Sequence, residues 1–296
     1  MNDKDVATSV FEAHRDHLRA VAYRMLGSLS EADDAVQEAW LRLNRTDTSD
    51  VENMGGWLTT VVGRVCLNML RSRRSRAEEP LETRMPDPVV SREDGVDPEH
   101  EALLSDSVGL ALLVVLQTLE PAERLAFVLH DMFAVPFDEI APILDRTPAA
   151  TRQLASRARR RVRGAAVEPD PDLSRQREVV DAFMTAARAG DFDALVAVLD
   201  PDIVLRVDQG APATGGWMEL RGALAVARQA LMFQRIAHLA QPVLVNGVLG
   251  MINTVGGKVI SVGAFTVAGG KVVAMDILAD VDRLSTLDLA AVEEPS

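Results

Sequence analysis

Two stretches of this 296-residue chain concentrate arginine without a single interleaved acidic residue. Arg64–Arg76 holds five arginines and Arg146–Arg163 holds seven, although the whole chain carries a net charge of −13. Residues 77–108, which separate the two stretches, carry a net charge of −8. This distribution predicts two separate points of contact with a polyanion. For the second stretch the alternative, a solvated charged face on an ordinary helix, fits poorly with seven arginines and no acid.

Apolar residues at spacings of three and four predict helices over residues 6–43, broken at residues 27–30, and over residues 57–76. The Gly-containing residues 44–56 between them are expected to form a loop. Ser30 is the expected N-cap after the break. The helix that follows has an apolar stripe beside a polar face of Asp33, Asp34, Gln37 and Glu38. That face could dock a protein partner, or it could belong to a plain amphipathic helix.

The first arginine stretch combines phosphate-binding and base-binding groups. Its arginines can hold phosphates, and Asn68 offers both a donor and an acceptor. Trp57 could stack on a base or could be a core aromatic at the start of the helix.

The second arginine stretch belongs to a predicted four-helix unit over residues 101–164. Two short helices, Phe137–Leu144 and Pro148–Val162, are joined by three residues ending at Thr147, which is the pattern of a helix-turn-helix. Thr147 is the expected cap, with Pro148 at the first helical position. Arginine can pair with guanine and glutamine with adenine in the major groove. The side chains expected to face outward are Arg152, Gln153, Ser156, Arg157 and Arg160.

Residues 77–100 contain four prolines and many acids, which predicts a linker and not a packed element. A second Pro/Asp-rich joint, residues 168–172, precedes helices at about 174–189 and 191–199. Five strand-like runs follow, over residues 203–208, 241–246, 249–254, 259–267 and 272–278. A helix at about 219–234 interrupts these runs, and Ala268-Gly-Gly-Lys271 is a hairpin signal. Helices followed by strands predict an α+β domain with a curved antiparallel sheet.

Several classes of protein are excluded or disfavoured. A single cysteine, Cys66, allows neither an intramolecular disulfide nor a multi-cysteine zinc site, and its apolar neighbours indicate a buried structural thiol. The first ten residues show no signal peptide, and no apolar run is long enough to span a membrane. A cytoplasmic protein without a cofactor, a metal site or catalytic residues is expected.

Six segments resemble the extracytoplasmic-function (group IV) RNA polymerase sigma factors. Ala22-Tyr-Arg-Met-Leu-Gly-Ser28 with Glu31–Leu43, and Gly56–Arg71, resemble the sigma-2 domain of that family. Leu119–Asp131, with Phe137–Ala141 and Ser156–Arg159, resembles the sigma-4 domain. The resemblance covers about residues 1–165, and the two motif sets occur in the family's order.

The resemblance implies a role for each region. Core RNA polymerase would be bound through its β′ clamp helices by Asp33, Asp34, Gln37, Glu38 and Leu41, with the β flap as a further partner. Promoter DNA would be opened and read at the −10 element by the loop at residues 47–56 and by Trp57, Arg64, Asn68, Arg71, Arg73 and Arg74. The second helix of the helix-turn-helix, Pro148–Val162, would read the −35 element as duplex.

The C-terminal extension resembles SnoaL-like domains, which are cone-shaped α+β folds with a central pocket. Its pattern includes Phe183, Gly190-Asp-Phe-Asp193 and Asp202. The domain order resembles the sigma-J-like group, whose extension modulates the factor in cis. In relatives the linker has a Pro-Glu-Pro-type motif, matched here by Glu78-Glu-Pro-Leu81, and the extension has an Asp-Gly-Gly-Gly-Lys-type loop, where this chain has Asp208-Gln-Gly-Ala-Pro212.

The expected organisation is therefore two all-α domains and a SnoaL-like cone. The expected ranges are sigma-2-like 1–76, linker 77–105, sigma-4-like 106–166, joint 167–173 and SnoaL-like 174–288. The pocket of the cone could bind a small ligand, and the extension is expected to contact the sigma domains. The residues expected at the pocket are Asp208, Trp217, His238 and Asp276, with Met218, Phe233 and Met251 as further lining candidates.

Two other functions stay open on the sequence. One is a free-standing, ligand-responsive DNA-binding regulator that needs no polymerase. The other is a SnoaL-like enzyme tethered to DNA, with Asp208, His238 or Asp276 as acid or base.

Overall fold

The computed structural model describes residues 3–46, 48, 51–76, 84–92, 109–165, 169–211, 215–287 and 289. The side chains of residues 3–7 and 76 are outside that description. The chain divides into two compact units. The first comprises Met1–Leu81 and Leu113–Ala165, and the second comprises Glu82–Leu112 and Ala166–Ser296.

The first unit is helical throughout its described residues. Three helices form its N-terminal half: α1 (Asp3–Leu26), α2 (Leu29–Leu43) and α3 (Met54–Arg76). Gly27, with φ +71°, ends α1, and the extended residue before α2 is Ser28, so the expected cap at Ser30 is wrong. The residues buried between the three helices are Leu18, Tyr23, Met25, Leu26, Ala35, Ala39, Leu58, Val62 and Leu67.

The second half of this unit contains the helix-turn-helix. Its helices are α4 (Leu110–Gln117), α5 (Pro121–Phe127, continued by a π-type turn Val128–Met132), α6 (Phe137–Leu144) and α7 (Pro148–Ala165). The turn is made by Asp145 in the left-handed conformation, at φ 52°. Thr147 Oγ1 accepts a hydrogen bond from Ala150 N at 3.2 Å, which confirms the predicted cap.

The two halves pack on each other through α3. A Cβ added at Gly63 would lie 3.1 Å from Leu129 Cδ1 and 3.3 Å from Leu125 Cδ1, so glycine permits this close approach. Arg124 is buried, and its Nη1 donates to the carbonyl of Met25 at the end of α1 at 2.8 Å. Burial, and secondarily Arg73, lowers the pKa of Arg124 to about 10, so it stays charged at neutral pH.

The second unit has helices packed on one seven-stranded sheet. Its helices are α8 (Leu173–Ala189), α9 (Phe192–Val198), α10 (Ala223–Met232), α11 (Gln234–Ala237) and α12 (Val281–Leu284). Its strands are β1 (Val90–Ser91), β2 (Leu199–Asp208), β3 (Trp217–Arg221), β4 (Ala240–Val245), β5 (Val248–Val255), β6 (Lys258–Ala268) and β7 (Lys271–Leu278). Phe183 on α8 meets Phe265 on β6 edge to face, with ring centroids 5.4 Å apart, in the middle of the core.

The sheet has the order β1-β4-β5-β6-β7-β2-β3 and departs from expectation in two places. It is antiparallel except that β2 and β7 run parallel, so it is mixed. Residues 219–221, expected in a helix, belong to β3, which pairs with β2. The predicted hairpin is confirmed, because Gly269 and Gly270 both have positive φ between β6 and β7.

The third departure concerns the segment between the two arginine stretches. Residues 84–92 were expected in an unpacked linker, yet Met85, Val89 and Val90 are buried. Val90 and Ser91 add β1 to the edge of the sheet by pairing with Val245 and Leu244. The apolar residues of this segment are buried, although its acidic composition predicts exposure. Residues 77–83 and 93–105 of the expected linker, including Glu78–Leu81, lie outside the described residues, as do 47, 49, 50, 106–108 and 166–168.

Candidate functional site

The acidic face of α2 is a continuous exposed surface. Asp33, Asp34, Gln37 and Leu41 are exposed, and Glu38 is half-buried. The opposite side of α2, with Ala32, Ala35, Val36 and Ala39, is buried. Asp33 accepts a hydrogen bond from Arg19 Nε at 2.7 Å, and Glu38 accepts one from Arg42 Nε at 2.9 Å. This is one helix face with carboxylates around an exposed leucine, a pattern suited to a protein partner.

On α3, the predicted DNA-binding residues separate into two groups. Arg64, Asn68 and Arg71 are exposed and lie at spacings of four and three, in line with the half-buried Trp57. We call Trp57, Arg64, Asn68 and Arg71 the α3 stripe. Arg73 instead pairs with Glu31 of α2, and Arg74 pairs with Glu120. The charges of Arg73 and Arg74 are therefore neutralised within the unit.

The stripe also contacts the helix-turn-helix. Arg64 Nη2 donates to the carbonyl of Pro142 in α6 at 3.4 Å.

The single cysteine lies on the inner side of α3, where burial raises the pKa of the Cys66 thiol. The prediction of a buried structural thiol is confirmed.

On α7, all five residues predicted to face outward are exposed: Arg152, Gln153, Ser156, Arg157 and Arg160. They lie opposite the buried Thr151, Ala155 and Ala158. We call these five exposed residues the recognition face.

The arginines of α7 differ in whether they form ion pairs within the unit. Glu123 accepts from Arg157 Nε at 2.9 Å and from Arg161 Nη1 at 3.3 Å, and Asp131 accepts from Arg159 Nε at 2.5 Å. Within the described part of the chain Arg152 and Arg160 form no ion pair, and the guanidinium of Arg152 lies 5.2 Å from the ring centroid of Phe137. Arg152 and Arg160 are thus the arginines of the recognition face whose charges no described carboxylate neutralises.

In the second unit, a buried ion cluster holds residues 84–92 on the C-terminal domain. Arg283 donates from Nη2 to Asp87 Oδ1 at 2.5 Å and from Nη1 to Asp208 Oδ2 at 3.0 Å. The same guanidinium contacts the carbonyl of Met85. The exposed fractions of the Arg283, Asp87 and Asp208 side chains are 10%, 9% and 4%. We call these three residues the Arg283 cluster.

Main-chain hydrogen bonds complete the attachment. Met85 N donates to Asp208 Oδ2 at 2.8 Å, and Val89 N donates to Asn246 Oδ1 at 3.2 Å. Asn246 N donates in return to the carbonyl of Val89 at 2.8 Å. Asn246 adopts positive φ, at 51°, in the turn between β4 and β5. The attachment therefore combines buried charges, backbone pairing and apolar burial.

A cavity of about 910 Å³ lies between the concave side of the sheet and helices α8 and α10. Asp208 and Trp217 line it, as do Met218, Phe233 and Met251. His238 is exposed and does not line it, which corrects the expectation for that residue. Arg84 contributes to the wall from the attached segment.

Asp276 is the second correction, because it does not line the cavity either. It lies between Met275 and Ile277, both of which do, so the alternation of the strand turns it to the other face. Arg206 Nη1 donates to Asp276 Oδ1 at 2.8 Å. Burial raises the pKa of Asp276, and Arg206 offsets part of that increase.

The described residues contain no group of three or more side chains that could hold a metal ion.

Comparison with known proteins identifies the family. The model for Sigma-70 region 2 matches residues 10–76 and that for Sigma-70 region 4 matches residues 109–162. The chain belongs to the ECF RNA polymerase sigma factors. It is similar over its length to the ECF RNA polymerase sigma factor SigJ of Mycobacterium tuberculosis, at 40% identity covering 94% of this chain and 93% of that protein. The probable ECF sigma factor SigI of the same species is 37% identical over 70% of this chain and 72% of its own.

The crystal structure of M. tuberculosis SigJ has the same architecture, including the C-terminal sheet domain. It superposes with a TM-score of 0.76 at 38% identity, covering 95% of this chain and 99% of that one. The expected fold, two sigma-type helical domains and a SnoaL-like cone, is confirmed. In the described residues no helix has both the length and the apolar character needed to cross a membrane.

Sequence reasoning missed the Arg283 cluster. Two signals were available: Asp87 stands between two prolines in a segment that also contains Met85, Val89 and Val90, and Arg283 is a lone base flanked by Asp280, Asp282 and Asp288. Each signal becomes informative only once the fold brings residues 85–87, 208 and 283 together.

Proposed function

We propose that this chain directs core RNA polymerase to promoters in the cytoplasm, and that its C-terminal domain modulates initiation in cis. The observation that carries the second part is the Arg283 cluster, which fixes part of the segment between the two promoter-binding domains to the C-terminal domain. In this proposal residues 1–76 bind core polymerase and the −10 element, residues 106–166 read the −35 element, and residues 174–288 regulate both.

Core binding is assigned to the acidic face of α2. Asp33, Asp34, Gln37, Glu38 and Leu41 would dock on the β′ clamp helices, and the helix-turn-helix domain would meet the β flap. The exposure of Leu41, at 40%, supports this assignment, because an exposed leucine at the end of an acidic helix face suits a partner with an apolar groove and a basic rim.

Promoter binding requires the two halves of the first unit to separate. The −10 and −35 elements are about 25 base pairs apart, or about 85 Å along B-form DNA. Here Arg64 of the α3 stripe contacts Pro142 of the helix-turn-helix. One arrangement cannot serve both elements, so we infer that α3 moves away from α5 and α6 on the promoter.

The linker follows any such movement, because it joins α3 to α4. The C-terminal domain holds residues 84–92 by buried charges. Any change in the path of the linker that pulls these residues away must break the buried ion pairs, which costs free energy. No catalytic role is proposed, since Asp276 lies outside the cavity and is paired with Arg206. This regulation needs neither a cofactor nor a metal.

The α3 stripe gives the first prediction. Replacing Arg64 and Arg71 together by alanine should impair promoter opening, because both exposed guanidiniums would hold backbone phosphates of the opened strand. Each lost phosphate contact should reduce the slope of log K against log salt by about one. The measurement is the fluorescence of 2-aminopurine placed in the −10 element, with holoenzyme over a salt series.

The matched control is Arg15→Ala on α1, which removes an exposed arginine that pairs, among the described residues, with Glu12 alone. It should leave opening and its salt slope unchanged. An Arg64→Ala/Arg71→Ala protein that opens the promoter like the Arg15→Ala protein would refute the assignment of the α3 stripe.

A further inference from the structure

One arginine of the recognition face lies against an aromatic stack. Phe137 is the first residue of α6, and its half-buried ring stacks on the imidazole of His130, with centroids 3.7 Å apart and planes inclined by 27°. The guanidinium carbon of Arg152, on α7, lies 5.2 Å from the centroid of the same phenyl ring. Contacts with one ring therefore connect the π-type turn after α5 to both helices of the helix-turn-helix.

The backbone before α6 fixes the position of the His130 ring. His130 belongs to the π-type turn Val128–Met132, and its Nδ1 donates to the carbonyl of Val135 at 3.0 Å. Between them Ala134 adopts positive φ, at 55°, a conformation that costs free energy for any residue with a side chain. The hydrogen bond and the sharp turn hold the imidazole in one orientation, so the ring of Phe137 has a fixed support.

Arg152 differs from the paired arginines of α7 in what holds its guanidinium. Arg157 donates N–H groups to the carboxylate of Glu123. Arg159 donates in the same way to Asp131. An aromatic ring attracts a guanidinium through the electrostatic field of its π face, without a carboxylate that accepts the N–H groups. Arg152 can therefore be held in place and still donate to a base.

The position of Arg152 on α7 is suited to reading a base. It is the fifth residue of the helix, and the N-terminal residues of a recognition helix contact base edges in the major groove. A bidentate pair with guanine O6 and N7 requires a defined direction of the guanidinium plane. An arginine side chain samples many rotamers, so a support that restricts it lowers the entropy lost on binding.

We infer that Phe137 is a positioning residue for sequence recognition. Its ring, supported by His130, holds the guanidinium of Arg152 in the direction that it takes on a base of the −35 element. This deepens the proposed function and rests on the assignment of α7 to that element. Because Phe137 acts through Arg152, its effect is confined to the base pair that Arg152 reads.

The test measures base discrimination by holoenzyme that contains the full-length chain. Promoter fragments with single-base changes in the −35 element compete with a labelled fragment, and fluorescence anisotropy gives the affinity for each. Arg152→Ala and Arg160→Ala first identify the base pair that each arginine reads. Phe137→Leu should lower discrimination at the Arg152 base pair by about 2- to 5-fold, the effect of an exposed cation–π contact, and leave the Arg160 base pair unchanged. Phe137→Tyr, which keeps the ring, should retain wild-type discrimination at both.

The matched control is Phe133→Leu. Phe133 is a half-buried aromatic in the connection before α6, and its ring contacts Arg24 and His17 of α1. Its loss should leave discrimination at both base pairs unchanged, because a general change in affinity cancels in the ratio. Added to Arg152→Ala, Phe137→Leu should cause no further loss of discrimination, since the two residues act as one unit.

Thermal unfolding checks that the variants fold, and Phe137→Met, which keeps the apolar volume without a ring, replaces Phe137→Leu if that protein is unfolded. The inference is overturned if the variant without a ring keeps full discrimination at the Arg152 base pair. It is also overturned if discrimination falls equally at the Arg160 base pair, as a general loss of packing would cause, or if Phe137→Tyr loses it. An Arg152→Ala protein with unchanged base preference would overturn the assignment of the recognition face as well, so the two failures are distinguishable.

Discussion

Replacing Arg283 by methionine should release residues 84–92 from the C-terminal domain. The substitution keeps most of the side-chain volume but leaves the buried carboxylates of Asp87 and Asp208 without their counter-ion. Removing one partner of a buried ion pair costs about 3–5 kcal/mol. Amide exchange at Met85 and Val89, which are protected by bonds to Asp208 and Asn246, should accelerate by roughly 150- to 4,000-fold.

The control for this variant is Arg221→Met on β3. Arg221 is 69% exposed and, within the part of the chain that the structure describes, pairs with Glu219 alone, so its loss should change exchange at residues 84–92 little. Asp87→Asn gives a second test that leaves the Arg283–Asp208 pair intact, and should release the same segment while β5–β7 stay protected. Unchanged exchange at Met85 and Val89 in both Arg283→Met and Asp87→Asn would contradict the role of the Arg283 cluster.

The effect of Arg283→Met on transcription can be compared with that of a deletion of the C-terminal domain. If the C-terminal domain acts through the attached segment, Arg283→Met should change run-off yield in the same direction as deletion of residues 169–296, because both free that segment. Opposite changes would place the regulatory contact elsewhere in the domain.

The second large effect is expected on the recognition face. Arg152→Ala and Arg160→Ala should each weaken binding to a −35 duplex by about 1–3 kcal/mol if they contact bases, which is about 5- to 150-fold. The loss should be greatest for the preferred sequence and should relax discrimination at one base position each. Fluorescence anisotropy with a panel of single-base variants of the duplex measures both quantities.

The paired arginines of α7 provide the contrast. Because Arg159 is held by Asp131, Arg159→Ala should lower thermal stability more than it changes base discrimination. The assignment fails if Arg152→Ala and Arg160→Ala leave both affinity and discrimination at wild-type values.

Local signals predicted the helical half of the fold well. The helix-turn-helix was predicted within a few residues because its turn chemistry, with Thr147 as cap and Pro148 at the first helical position, acts over a few neighbouring residues. The density of arginine in residues 146–163, which is also a local feature of the sequence, predicted the recognition face. It could not predict that Glu123 and Asp131 pair with arginines of α7, since those contacts join residues 28–38 positions apart.

Long-range contacts explain the errors in the second unit. The parallel pairing of β2 with β7, and the edge strand formed by Val90 and Ser91, join residues more than 60 positions apart. A proline-rich acidic segment is normally unpacked, and here the sheet edge, Arg283 and the burial of its apolar residues make it otherwise. Asp276 was predicted to line the cavity. Side chains alternate along β7, and only the structure shows which face of that strand lines the cavity; Asp276 lies on the other face.

The central claim is that the chain initiates transcription with core polymerase, under the control of its own C-terminal domain. Its most direct test is in vitro transcription of genomic DNA by core polymerase with and without the full-length chain, followed by sequencing of RNA 5′ ends. We predict discrete 5′ ends that require the chain, share upstream −10 and −35 sequences and change in yield with Arg283→Met. The same 5′ ends with core polymerase alone, together with tight binding of the chain to duplex DNA, would identify a free-standing regulator instead.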